Sequence, residues 1–286
     1  MDALRAGSHY VAMIGDGVND VLSLKKANLA ISMGSGSQAT RGVADLVLMD
    51  DSFAAVAQAV EEGQRILNGM QDILKLFLTR IATVGLVVVS SLVVVSFPIE
   101  LRNASALTIF TVGIPSALLA FWAQPGRRVR ESLGRTLATF VIPAAIVSSL
   151  MGLVVFYASI ALTPAPAGAG AGDPASIVEA TAQARTALTT FLVFAGLFLI
   201  VFVEPPIEWF AVAEPVTPDR RPTILAIFLA LGYVAVLLTP AARDFFSFAL
   251  PSPREALITV GSAIAWVPLV RLFWKRRLVD RFLGLA

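Results

Sequence analysis

The chain has 286 residues, 57% of them hydrophobic and only 15% charged, with no cysteine and a formal charge of +2. Globular proteins are typically about 45–50% apolar and about 25% charged, so this composition points to a membrane protein. It excludes disulfides, thiolate metal sites and thiol nucleophiles, and the charge is too small to support nucleic acid as a partner.

Residues 1–70 read as a soluble α/β domain. Tyr10 to Ile14 predicts a short buried strand, ended by Gly15-Asp16-Gly17, and Val18 to Ala27 a helix. Leu29 to Met33 predicts a second strand, Gly34 to Ser37 a turn, Gln38 to Ala44 a short helix and Leu46 to Met49 a third strand. Strands alternating with helices imply a parallel sheet with helices on its faces. Asp50, Asp51 and Ser52 are expected to cap a helix starting near Phe53. No proline interrupts the run from Phe53 to Phe97, which turns uniformly apolar near Leu76. One helix is therefore expected to leave the soluble domain and enter the bilayer.

Residues 71–286 read as an all-α transmembrane domain of six helices, at about 73–97, 104–122, 137–162, 187–203, 223–238 and 256–274. Arg127, Arg128, Arg130 and Arg135, then Arg220 and Arg221, then Lys275, Arg276 and Arg277 fall on one side of these spans. Arg102, Arg243 and Arg254 fall on the other. The positive-inside rule places the soluble domain and the C-terminus in the cytoplasm, in the cell membrane of a multi-pass protein. Pro164 to Ala175 is expected to be a flexible external loop, and Trp122, Trp209, Trp266 and Trp274 to act mostly as interfacial anchors.

The chemistry centres on Gly15-Asp16-Gly17-Val18-Asn19-Asp20, at the end of a strand and the start of a helix. Ligands of parallel sheets bind beyond the strands' carboxyl ends, where helix N-termini attract anions. Two carboxylates beside such a phosphate-friendly place point to a hard cation such as Mg2+, shared with a phosphoryl group. The glycines are expected to let the backbone turn tightly.

The run from Val11 to Asp20 resembles the hinge motif of the P-type cation-transporting ATPases, which are haloacid dehalogenase-like (HAD-like) phosphotransferases. The similarity continues through Leu24 to Ala27, Ile31 to Gly36, Ala59 to Gly63 and Asn68 to Met70. It implies a partial HAD-like, Rossmann-like phosphorylation domain ahead of the six-helix bundle. By that resemblance Asp16 coordinates the catalytic Mg2+ with Asp20 in support, and Asn19, with Gly17, contacts the phosphoryl group or nucleotide. The implied reaction is ATP-driven phosphorylation of an aspartate, with in-line transfer stabilised mainly by electrostatics. The family's DKTGT and TGES motifs do not occur in the sequence. The chain is therefore expected to be the C-terminal portion of a longer pump, inactive alone, its sheet lacking a first strand and exposing an edge.

Resemblance also implies polar cation ligands in the first two of these membrane helices. The second reads Leu107-Thr108-Ile109-Phe110-Thr111-Val112-Gly113-Ile114-Pro115-Ser116, without a carboxylate. Its Gly113-Ile114-Pro115 is expected to break the helix and free carbonyls. Thr108, Thr111 and Ser116 are transport-site candidates, set against hydroxyls that bond their own backbone. Arg80 is a fourth, either as a built-in countercharge or, with Lys75, snorkelling to the interface. Glu204 and Glu208 read as solvated loop carboxylates and His9 as a surface residue. The Gly-Ile-Pro helix and Glu204-Pro205-Pro206 resemble an actinobacterial and streptococcal subgroup linked to calcium uptake or export, which makes Ca2+ the preferred ion. The expected partners are the bilayer, the transported cation and ATP held by regions outside the chain. Two other readings stand beside the pump: a lipid or polyamine translocator of the same superfamily, and a non-catalytic membrane protein with a degenerate hinge domain.

Overall fold

The computed structural model describes residues 2–91, 98–126, 133–163, 174–212 and 214–276. Several expectations fall outside them: the end of the first span, Arg127, Arg128, Arg130, Arg277 and most of the Pro164–Ala175 loop. The chain divides into two compact units, one reaching Ile66 and the other starting at Leu67.

In the first unit, α1 (Asp2–Ala6) precedes β1 (Ala12–Gly15), α2 (Val21–Lys26), β2 (Leu29–Met33), α3 (Gln38–Arg41) and β3 (Leu46–Leu48). The strands form a parallel three-stranded sheet in the order β1-β2-β3, with Ile14 beside Ile31 and Ile31 beside Leu46. β1 lies at an edge of this sheet. It starts two residues later than Tyr10, because the Asn28 side chain accepts the Val11 amide hydrogen at 3.0 Å where a neighbouring strand would. The helix after the motif opens as a tight 3-10 turn, Val18–Asp20, before α2. Asp51 is a turn residue, with φ of 53°, and does not cap the helix that follows. Its carboxylate accepts the Ser35 amide at 2.9 Å, and Ser35 thereby holds it below the ordinary carboxylate range.

α4 (Ala54–Ser91) is one uninterrupted helix of 38 residues, as the absence of proline requires. Asn68 and Gly69 fix its position in the second unit. The Asn68 side-chain amide donates to the Gln124 carbonyl at 3.0 Å, and a Cβ on Gly69 would stand 3.0 Å from that of Ala123.

The other spans are α5 (Leu101–Thr108) continued by α6 (Ile114–Trp122), then α7 (Leu133–Leu162), α8 (Pro174–Val203), α9 (Arg221–Leu238) and α11 (Pro253–Lys275); α10 (Pro240–Phe245) is a short connector. Among the described residues six helices are thus long and apolar enough to cross a membrane. α8 is the axis of the bundle: 83% of its most apolar window is buried, against 28% for α4. It begins at Pro174, not near Ala187, because its polar first turns have partners. Arg185 pairs with Glu100, and the Gln183 amide oxygen accepts the Thr163 hydroxyl at 3.0 Å.

Two expectations are corrected here. Gly113-Ile114-Pro115 does not break the second span: Ile109–Gly113 is a π-helical turn joining α5 to α6. The Ile114 amide reaches back to the Ile109 carbonyl, and Pro115, which has no amide hydrogen, opens α6. Trp266 and Trp274 are internal packing residues. Trp266 is fully buried and donates to the Ser148 hydroxyl at 3.0 Å, and Trp274 donates to the Phe140 carbonyl at 3.1 Å.

α8 meets the π turn at Gly196, where a Cβ would lie 2.6 Å from Thr111 Cγ2 and 2.8 Å from its Cβ. Gly196→Ala is expected to cost about 1–3 kcal/mol by overpacking. It should lower the thermal unfolding midpoint in detergent, while Gly85→Ala, placed in open space, should leave it near the parent value.

Candidate functional site

The Gly15–Asp20 segment folds as the sequence requires, with different work for its two glycines. Neither has a positive φ. Gly15 is needed for close approach: a Cβ there would lie 2.6 Å from Asp20 Cβ. Gly17 is extended and has room around it, since the nearest atom to its missing Cβ is Asp20 Oδ2 at 3.5 Å.

The turn is closed by a reciprocal pair. The Asp20 amide donates to the Gly17 carbonyl at 3.0 Å, and the Gly17 amide donates to Asp20 Oδ2 at 3.2 Å. Asp20 is thus an internal brace, and the Gly17 amide is occupied by it. The Asp16 carbonyl is held from the other side by the Ser37 amide at 2.9 Å and the Thr40 hydroxyl at 3.3 Å. The Asp16 and Asn19 side chains are exposed. Asp16, with its backbone fixed and its carboxylate outward, is the group free to meet a ligand. A hard oxygen donor of this kind fits Mg2+, which is commonly held by one or two carboxylates together with waters and substrate phosphates. Among the described residues no group of three or more His, Cys, Asp or Glu side chains could hold a metal by themselves.

The transport-site candidates lie in the second unit. A cavity of about 30 Å³ is lined by Thr79, Arg80 and Thr83 of α4, Thr111 of the π turn, Ser148 of α7 and Gly196 of α8, among apolar side chains. That is room for about one water. Among the described residues no carboxylate lines it. Arg80 turns inward: its guanidinium donates to the Thr108 hydroxyl at 2.5 Å, and its Nε is buried without a partner. Thr108 and Thr111 donate to the carbonyls four residues back, Ala104 at 2.7 Å and Leu107 at 2.6 Å. Ser116 is not in the lining, and its buried hydroxyl has no hydrogen-bond partner. The structure thus gathers Arg80, Thr108 and Thr111 and sets Ser116 apart.

Sequence reasoning missed two polar clusters. Lys75 does not snorkel: it is fully buried, ion-paired with Glu214 of the α8–α9 loop, 3.6 Å from Asp72 and 5.7 Å from the Phe140 ring centre. The available signal was Asp72 and Lys75 three residues apart at the edge of an apolar run, a spacing that places both on one helix face. The second cluster surrounds Glu255, buried at the start of α11. It accepts the Ser252 amide at 2.8 Å and the Ser159 hydroxyl at 3.1 Å. The Ser252-x-x-Glu255 spacing is a capping box that the sequence displays openly.

No protein-family model matches the chain. Relatives are nevertheless clear. Calcium-transporting ATPase CtpE of Mycolicibacterium smegmatis is 30% identical over 285 residues, covering 95% of this chain and 33% of its own length. CtpE of Mycobacterium tuberculosis is 30% identical over 295 residues, covering 99% of this chain and 34% of its own. A shorter match of 125 residues, 34% identical, joins 42% of this chain to 13% of the endoplasmic reticulum calcium ATPase srcA of Aspergillus fumigatus. The chain spans about one third of the mycobacterial relatives it matches. With a hinge-like turn on a parallel sheet and six membrane helices, the chain belongs to the P-type ATPases, as a portion of a bacterial calcium-ATPase-like protein.

Proposed function

We propose that the chain is the C-terminal part of an ATP-driven cation pump of the cell membrane, with Ca2+ the preferred ion. The observation that carries this reading is its similarity along nearly the whole chain to proteins named calcium-transporting ATPases. In it the first unit is the end of a HAD-like phosphorylation domain. Asp16 holds Mg2+, which when bound neutralises charge on a phosphoryl group shared with it. Asp20 keeps the turn closed, and exposed Asn19 faces the phosphoryl group or nucleotide. ATP and the phosphorylated aspartate belong to regions outside this sequence. Arg135, Arg220, Arg221, Lys275 and Arg276 mark the cytoplasmic side, so both ends of the chain lie there.

In the membrane, Arg80 acts as a fixed positive charge beside the transport path, with Thr108 and Thr111 in its neighbourhood and Ser116 further along the helix. A guanidinium fixed in a cavity where no described carboxylate lines the wall supplies positive charge when the transported cation has left, which is the work of a built-in countercharge. The same missing carboxylates favour one alternative, a lipid translocator of the same superfamily.

Both readings are tested on the complete protein by ATPase assays with Ca2+, Mg2+, K+ or lipid as stimulant. Stimulation by Ca2+ is expected, and stimulation by lipid alone replaces the pump with the translocator. Asp16→Asn should reduce stimulated hydrolysis by about 100-fold or more, with the fold retained, because the side chain is exposed. Raising Mg2+ should recover part of that loss. Arg80→Ala should shift half-saturating cation concentration by about tenfold or change the ions moved per ATP. Unchanged values for both remove Arg80 from the transport site.

A further inference from the structure

Lys75 is a fully buried ammonium facing two carboxylates, and neither the hinge turn nor the cavity uses it. Burying such a group is costly, so its placement demands close partners. Glu214 supplies the nearer one, from the loop between α8 and α9, with its side chain only 9% exposed. Asp72 supplies the second at 3.6 Å, with its side chain 3% exposed. The Phe140 ring of α7 closes another side.

The position of Lys75 along α4 gives this cluster its meaning. Residues four apart in an α-helix share a face. Lys75, Thr79 and Thr83 are so spaced, and the Thr79 hydroxyl donates to the Lys75 carbonyl at 2.7 Å. Thr79 and Thr83 line the cavity, and Arg80 enters it one residue after Thr79. Whatever fixes Lys75 about the helix axis therefore fixes which way these three side chains point. A rotation of α4 by a single residue's step, about 100°, would turn Lys75 away from Glu214 and change which of these side chains face the cavity.

We propose that Glu214 is a positioning residue. Through its ion pair with Lys75, the α8–α9 loop sets the rotation of α4 and so aims Thr79, Arg80 and Thr83 into the cavity. The effect on transport rests on the pump reading above, whereas the effect on side-chain position does not.

Glu214→Gln is the informative variant because Asp72 remains beside the ammonium, so no lone charge is stranded. Lys75→Met would instead leave two buried carboxylates facing each other. These 286 residues hold no cysteine, so Thr83→Cys introduces their one thiol, in the cavity wall, and any cysteine elsewhere in the complete protein is first replaced by serine. In the complete protein, the rate of labelling of that cysteine by a small charged thiol reagent is expected to change about fivefold or more on adding Glu214→Gln. Glu214→Asp, which keeps the charge, should return the rate toward the parent value, and Glu214→Ala, with the same expected change, replaces the glutamine variant if that one fails to fold. An unchanged rate in a protein with an unaltered thermal midpoint overturns the proposal. So does an equal change with Glu214→Asp and with a midpoint-matched substitution elsewhere in the loop. In cation-stimulated ATPase assays of the threonine-bearing protein, Glu214→Gln should raise the half-saturating cation concentration about tenfold and alter the maximal rate much less. A parent protein with no stimulation by any cation rejects the pump reading, and the labelling result still decides the role of Glu214.

Discussion

Burial of α8 among the other membrane helices is the constraint from which the second unit follows. A helix enclosed in this way has no water for its side chains, so polar groups on it take partners from a neighbour or from its own backbone, the buried Thr189 hydroxyl excepted. The Thr190 hydroxyl meets that of buried Tyr233 at 3.0 Å, and the Thr186 hydroxyl accepts the Ala249 amide at 2.8 Å while donating to Ala182. Arg185 reaches Glu100. These contacts tie α8 to α9, to the segment before α11 and to the start of α5. The close seat of Gly196 on the π turn completes the set and brings the second span against the axis.

The sequence displayed the alternation of strands and helices, the second strand to the residue and all six spans, because these rest on composition over many positions. It failed where a single side chain decides. Asn28 took the place of a strand partner and delayed β1. Asp51 looked like a helix cap but serves the Ser35 turn. The start of α8 was obscured by Glu179, Gln183 and Arg185, whose polarity reads as loop to any average over hydropathy. Trp266 and Trp274 looked like anchors because tryptophan can end a span, yet their indole hydrogens are satisfied inside the bundle. In the candidate site the Gly-Asp-Gly motif could be read, but the different tasks of Gly15 and Gly17 could not, since both depend on where Asp20 comes to rest.

Charge within the second unit follows one pattern. Lys75, Arg80 and Glu255 are each held by groups distant in sequence or on another helix. Such arrangements are expensive to desolvate, and removing one partner usually costs more than replacing the whole set with apolar side chains. They therefore favour one helix arrangement over its neighbours more than they add to stability. Arg80 differs in keeping one nitrogen unsatisfied, which makes it the least settled of the three.

The π turn at Ile109–Gly113 amounts to one residue inserted into an α-helix. Each residue advances an α-helix by about 100°, so the portion after the turn is rotated by that angle from an unbroken helical wheel. Among homologues, a lost residue in this stretch would leave the span apolar and helical but reset the facing of everything from Ile114 to Trp122. Alignments that place gaps only in loops would misassign the whole second half of the helix.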